Sequence, residues 1–235
     1  MNATLDHIED IAPNIKTFWF NPVHPVQYTA GQFIELHLPH PNPDQRGQRR
    51  WFTLSSSPTE GPLIGITTRF ATDHNSTSKQ TLRALQVGTS VSMTEPMGDF
   101  VLPKDASLPL LFVAGGMGIT PIRSIIKYLY DTRERRSIQL LYGVHHADEL
   151  VFAPLFEAYT MQFTPVAKES AAGWKGEVGR LTPERILKEA NCSKGTLIYL
   201  SGPEPMVEAF DKALKDNGID KHRIITDFFP GYPAF

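Results

Sequence analysis

A single cysteine, Cys192, is all the thiol the chain carries. That scarcity excludes an internal disulfide framework, a four-cysteine iron–sulfur cluster, a CxxC redox pair and a cysteine-rich zinc site. Neither sign of charge dominates: 23 Lys and Arg face 25 Asp and Glu, for a net charge of −2 and a pI near 6.4. Domains that bind polyanions run strongly basic, so no nucleic-acid partner is expected. Long apolar runs are missing too. The uncharged stretch from Ala106 to Ile122 is broken by prolines and glycines and falls short of the ~20 apolar residues of a spanning helix. Met1-Asn2-Ala3-Thr4-Leu5-Asp6 has no basic region leading into an apolar stretch, so neither signal peptide nor membrane span is expected and a cytoplasmic setting is the default.

What remains is an ordinary globular composition, 41% hydrophobic and 20% charged over 235 residues, enough for one or two packed domains. The first hundred residues alternate apolar and polar. Ile15–Phe20, Gln32–Leu38, Trp51–Leu54, Leu63–Arg69 and Ser90–Met93 read as strands, with a helix over Ser78–Leu85. Strands so spaced suggest a closed or nearly closed antiparallel β-barrel. After Pro103-Lys104-Asp105-Ala106-Ser107-Leu108-Pro109 the rhythm changes. Leu110–Ala114, Ser137–Tyr142, Met161–Ala167 and Thr196–Leu200 read as buried strands. Helices are expected over Pro121–Tyr130, over Glu149–Thr160 with an interruption at Pro154, over Pro183–Ala190 and over Pro205–Asn217. That alternation implies an α/β parallel sheet. The expected domains are 1–104 and 105–235.

Three segments carry candidate chemistry. Gly115-Gly116-Met117-Gly118-Ile119-Thr120-Pro121 lies between a buried strand and a helix, where backbone amides and the helix dipole favour a phosphate and a Cβ would hold it away. Its spacing is not GxGxxG, and a plain tight turn is the alternative reading. Ser201-Gly202-Pro203-Glu204-Pro205-Met206 ends the fourth strand at the same carboxyl edge. Arg49-Arg50-Trp51-Phe52-Thr53-Leu54 packs cations, aromatics and a hydroxyl into one strand. Arginine can grip a phosphate bidentately, though a solvated barrel edge has the same composition.

Taken in order, these motifs make the chain resemble the ferredoxin–NADP reductase superfamily. Arg50-Trp51-Phe52-Thr53 looks like its Arg-x-Tyr-Ser flavin motif, and Val113–Pro121 like its pyridine-nucleotide loop. Leu141-Tyr142-Gly143 with Asp148-Glu149-Leu150 is similar to the segment beside the nucleotide ribose. Ser201–Met206 is similar to Cys-Gly-Pro-x-x-Met. The resemblance spans essentially the whole chain and implies a flavin-binding antiparallel barrel joined to a Rossmann-like nucleotide domain. It implies FAD, with FMN as the alternative, and NADH or NADPH as electron donor.

The resemblance also implies roles. Arg50 would neutralise the flavin pyrophosphate, with Asn75-Ser76-Thr77-Ser78 at a helix start; Asn75 replaces a glycine, which a left-handed backbone would tolerate. Phe52 would pack on the flavin beside Trp51, Thr67-Thr68-Arg69 would border it, and the Thr53 hydroxyl would bond near its N5. Gly115, Gly116, Gly118, Thr120, Pro121, Tyr142, Gly143, Gly202, Pro203 and Met206 would line the nucleotide. Ser201 stands where the family has Cys and would join Thr53 and Asp227 in a polar cluster. Phe229, or Phe228 if the register is one residue different, would stack on the flavin, and the tail Gly231–Phe235 would cover the flavin or a partner surface. His145-His146, near the ribose, has no third ligand in evident spacing, so no metal is expected. Trp174–Arg180 would shape the nucleotide domain, and Arg46, Arg49 and Arg50 could attract an acidic carrier.

The implied activity is hydride transfer from NAD(P)H to flavin. Electrons would pass on to a separate ferredoxin, flavodoxin, oxygenase component or small molecule. The alternatives are a non-catalytic flavoprotein docking subunit and a nucleotide-binding α/β protein without flavin.

Overall fold

The computed structural model describes residues 1–72, 75–190 and 195–229, with the side chain of Phe229 outside that description. Cys192 and the tail Gly231–Phe235 lie outside the described residues. The first sheet is built from β1 (Asn2–Ala12), β2 (Ile15–Pro22), β3 (Phe33–His37), β4 (Arg49–Thr53), β5 (Ile64–Arg69) and, after helix α1 (Thr77–Ala84), β6 (Ser90–Met93). Its order is β4-β3-β6-β1-β2-β5, with every pairing antiparallel. The two edge strands approach one another where Leu54 bridges Ile66 and Ser55 N–H donates to Gly65 O at 2.8 Å. The sheet thereby curls into the expected barrel. Inward-facing Leu5, Phe18, Phe20, Ile34, Leu36, Ile66 and Met93 fill it.

The second sheet is parallel. Its elements are β7 (Leu110–Gly115), α2 (Ile119–Thr132), β8 (Ile138–His146), α3 (Ala153–Ala158), β9 (Gln162–Glu169), β10 (Glu177–Val178), α4 (Pro183–Ala190), β11 (Leu197–Pro203), α5 (Glu204–Asp216) and β12 (Ile224–Phe229). The strand order is β10-β9-β8-β7-β11-β12. Every residue of β7 is buried because both faces of the sheet are covered. Leu110, Phe112 and Ala114 face a core shared with Ile122, Ile125 and Ile126 of α2. Leu111 and Val113 face the opposite core, with Ile186 of α4 and Val207 and Phe210 of α5. No helix among the described residues is long and apolar enough to cross a membrane.

Two expectations need correction here. Helix α2 begins at Ile119, so Thr120 and Pro121 lie inside its first turn, where proline's missing N–H costs nothing. Between Ala147 and Ala158 there is no single interrupted helix. A short 3₁₀ turn over Ala147–Glu149 is followed by α3, in which Pro154 occupies the first turn and so starts the helix.

Candidate functional site

Strand order reverses between β7 and β11: β8 and β9 lie on one side of β7, while β11 and β12 lie on the other. A crevice outside the carboxyl ends of such strands is where open α/β sheets bind ligands. Both expected loops emerge there. Gly116 turns the chain with φ +51°, a conformation suited to glycine. The reason for Gly118 differs from the expected one: a Cβ there would lie 2.1 Å from the carbonyl oxygen of Ser201. The missing side chain is what lets the two loops meet. Gly115 likewise faces Met206, whose sulfur a Cβ would meet at 2.5 Å.

A cleft beside these loops is lined by Gly115, Gly143, Met206, Leu181 and two cations, Lys168 and Arg180. Lys168 and Leu181 belong to no motif of the sequence, whereas Arg180 closes the Trp174–Arg180 segment. Their charge suits an anionic nucleotide. Thr120 spends its hydroxyl on Met117 O at 2.9 Å within the first turn of α2. Tyr142 is not a lining residue. Its ring is fully buried in the core, edge-on to Phe156, and burial pushes its phenol pKa upward, so only its backbone can reach the cleft.

Ser201 and Asp227 are paired across β11 and β12 and so project to the same side of the sheet. The Ser201 Oγ is buried and has no hydrogen-bond partner among the described residues. Burial also pushes the Asp227 carboxyl up to about 7. Thr53 is buried at the end of β4. Phe228 is 45% exposed, on the strand that holds Asp227.

On the barrel, Arg50 is 12% exposed, and its Nη1 donates to the carbonyls of Arg46, Gly47 and Arg49. Its Nη2 donates to Asp44 at 2.5 Å, whereas its Nε is buried and has no partner among the described residues. The expected helix start lies close by: Ser78 Oγ donates to Gly47 O at 3.5 Å and the Thr77 hydroxyl accepts from Asp44 N–H at 3.2 Å. Ser76 caps α1 by accepting from Lys79 N–H. Asn75 does not take the left-handed conformation expected of it. Its amide instead bridges the backbone N–H and C=O of Ala71, each at 2.8 Å. Phe52 is half-buried against the barrel core, and Trp51 is 61% exposed with its ring beside Phe33.

Thr67 joins Thr17 and Ser55 in a chain of buried hydroxyls at 2.8 Å each, and Thr68 is buried beside it in β5. Arg69 crosses to the second sheet and pairs with Glu149 at 2.6 Å. The basic run is not a free positive patch: Arg46 and Arg50 pair with Asp44, and Arg49 pairs with Glu35.

The second sheet is fastened to the barrel by groups the sequence did not reveal. Arg123 of α2 forms a two-pronged pair with Glu60 and donates to Ser55 O at 2.9 Å. Ser124 donates to Ser56 O at 2.5 Å. The helix that follows the glycine loop is thus held to the segment that follows Thr53. A third donor also stands beside His145 and His146: the pairing of β8 with β9 brings Glu169 within 4.8 Å of both. The Lys168 ammonium, 3.1 Å from His145 Nε2, opposes a cation there.

The described residues therefore fit a dinucleotide flavin and a pyridine nucleotide. Arg50 has an unused N–H beside a helix start, Ser201 has an unused hydroxyl at the strand edge, and the two meeting loops sit at the reversal of strand order.

Comparison with known proteins agrees with this geometry. Residues 112–212 match the family model of the oxidoreductase NAD-binding domain. The reductase subunit of an aromatic O-demethylase from Amycolatopsis sp. is 27% identical over 97% of this chain and 69% of its own length. An NAD(P)H-flavin reductase from Vibrio harveyi is 25% identical over 89% of this chain and 90% of its own. A ferredoxin NADP+ reductase from Neisseria gonorrhoeae, solved with FAD and NADP, superposes with a TM-score of 0.80 at 21% identity, covering 99% of this chain and 98% of that one, and shows the shared fold. The chain spans only 59% to 65% of the length of several other relatives. Residues 112–212 thus carry the oxidoreductase NAD-binding family's pattern, and over nearly its whole length the chain is similar to flavin and ferredoxin reductases and shares their two-domain fold.

Proposed function

We propose that this chain is an FAD-dependent NAD(P)H oxidoreductase that passes electrons to a separate acceptor. One observation carries the reading. Helix α2 grows from the glycine loop and is held through Arg123 and Ser124 to Ser55 and Ser56, just beyond Thr53. A nucleotide on that loop and a flavin on β4 would accordingly lie in one fixed relation, as hydride transfer requires.

Bound FAD supplies the ring that accepts hydride from reduced nicotinamide and gives electrons up singly or in pairs. The chain's own groups bind and orient. Arg50, with Ser76, Thr77 and Ser78 at the α1 start, would hold the pyrophosphate; Phe52, Thr67, Thr68 and Arg69 would border the flavin. Thr53 and Ser201 would offer hydroxyls at the reacting edge, and Asp227 would hold a proton on its carboxyl near neutral pH. Phe229, with Phe228 as its rival, would cover the flavin face. Gly115, Gly116, Gly118, Gly143, Gly202, Pro203 and Met206 would form the nucleotide loops, with Lys168 and Arg180 meeting its phosphates. We assign residues 1–104 to the flavin domain and 105–235 to the nucleotide domain, in keeping with one sheet ending at Met93 and the other beginning at Leu110.

By likeness to its O-demethylase relative, whose name marks a reductase subunit, we take the acceptor to be an oxygenase component. We place the protein in the cytoplasm because its donor would be a soluble pyridine nucleotide. Titration with FAD tests the binding half of this reading. The chain should show a stoichiometric bound-flavin spectrum, and Arg50→Ala should lose most of it, at least tenfold in affinity for one charged contact. No bound flavin in the parent chain would refute the reading.

A further inference from the structure

Asp44 sits outside every motif considered so far, yet it is the hub of the phosphate cradle. Its Oδ1 accepts from Arg50 Nη2 at 2.5 Å and from Arg46 N–H at 2.9 Å, closing a turn of the 44–47 loop. Its own N–H donates to the Thr77 hydroxyl at 3.2 Å, in the first turn of α1. That hydroxyl also contacts His40 Nε2 at 3.0 Å. One residue therefore links the arginine to the helix start, the two parts of the cradle that come from opposite sides of the barrel edge.

The consequence lies in how the guanidinium is committed. Its Nη1 is spent on the carbonyls of residues 46, 47 and 49, and its Nη2 meets Asp44. Its Nε, buried, has no partner among the described residues. A long side chain with several rotatable bonds would otherwise spend most of its time elsewhere. Clamped at the far end, it is held beside the start of α1, where Ser78 donates to the same Gly47 carbonyl as its Nη1. A bare carboxylate next to a pyrophosphate would repel it, but here the charge is matched by Arg50. The guanidinium in turn holds the Asp44 carboxyl below the usual range.

We propose that Asp44 is a positioning residue for the flavin pyrophosphate: it fixes the Arg50 guanidinium within the cradle and ties that arginine to Thr77. This rests on the FAD reading above. It makes a distinctive prediction, because the effect should appear only for ligands that carry the pyrophosphate.

The test is a pair of flavin titrations on the full-length chain stripped of flavin, with FAD and with riboflavin, which lacks phosphate. Asp44→Ala should weaken FAD binding about tenfold, the scale of a lost charged hydrogen bond, and change riboflavin binding by less than about twofold. Asp44→Asn keeps an acceptor oxygen and should recover part of the FAD affinity. Unchanged or tighter FAD binding in Asp44→Ala would overturn the proposal, since the carboxylate would then be idle or a competitor. Equal losses for FAD and riboflavin would also overturn it, reducing Asp44 to general loop stability. If the parent chain binds riboflavin and FAD equally, or neither, it is the underlying FAD reading that fails, and the proposal falls with it.

Discussion

The two halves of the chain bury polar groups in different ways. The barrel buries hydroxyls in bonded sets: Thr17 with Thr67, Thr67 with Ser55, and Ser56 with Tyr28. In the nucleotide half, Thr120 and Ser124 each bond a backbone carbonyl, whereas Ser201 buries a hydroxyl that bonds nothing among the described residues. A buried donor left unmatched costs free energy, and this one stands where the strand order reverses. The barrel ties these hydroxyls to one another; the parallel sheet leaves that of Ser201 without a partner among the described residues.

The contrast can be broken most severely where the halves meet. Glu60→Ala should strand the Arg123 guanidinium, since both side chains are 14% exposed, and destabilise the chain by about 3 kcal/mol, read from the urea midpoint. An unchanged midpoint would mean that the pair is no clamp. Next in size is a structural hydroxyl. Thr67→Val removes the shared partner of Thr17 and Ser55 and should cost about 1–3 kcal/mol in the same assay.

An effect of comparable size lies in pH dependence. Asp227 holds its proton up to about pH 7 in the folded chain, whereas unfolded it would release it near pH 4, roughly the reference value. Between those limits the folded state binds the extra proton, so this group's contribution to stability falls as pH rises through that window. Asp227→Asn should flatten that slope, and identical slopes for variant and parent would contradict the burial argument. Smallest of all, Ser201→Ala breaks no hydrogen bond and should shift stability by less than about 1 kcal/mol. Its effect belongs in the rate of flavin reduction.

Much of the fold was legible because each half obeys one period. Alternation marked β2, β3 and β6, and a wholly apolar run marked β7, since a sheet covered on both faces has no wet side to encode. Strand β1 escaped notice because register shifts between Leu5 and His7 and between Asp10 and Ala12 interrupt its alternation. Strand β12 was noticed only as Asp227-Phe228-Phe229, a run of site residues, although its pairing with β11 is what sets Ser201 beside Asp227.

The site was legible as motifs and hidden as partners. Arg50 was evident; Asp44, six residues earlier, was not. The contacts of Arg69 with Glu149 and of Arg123 with Glu60 join residues 80 and 63 positions apart, which no local pattern can announce. Gly118 was noticed for a ligand, while the structure gives it to the Ser201 carbonyl. The same pairing of strands that made β8 and β9 legible also placed Glu169 beside the two histidines, a proximity that spacing along the chain conceals.

The most direct test of the account is anaerobic mixing of the FAD-loaded chain with NADH and, separately, with NADPH, followed at the flavin absorption bands. Rapid bleaching by at least one nucleotide is the predicted result, and the faster one identifies the donor. Flavin that stays oxidised with both would contradict the account and leave a flavoprotein that docks but does not accept hydride.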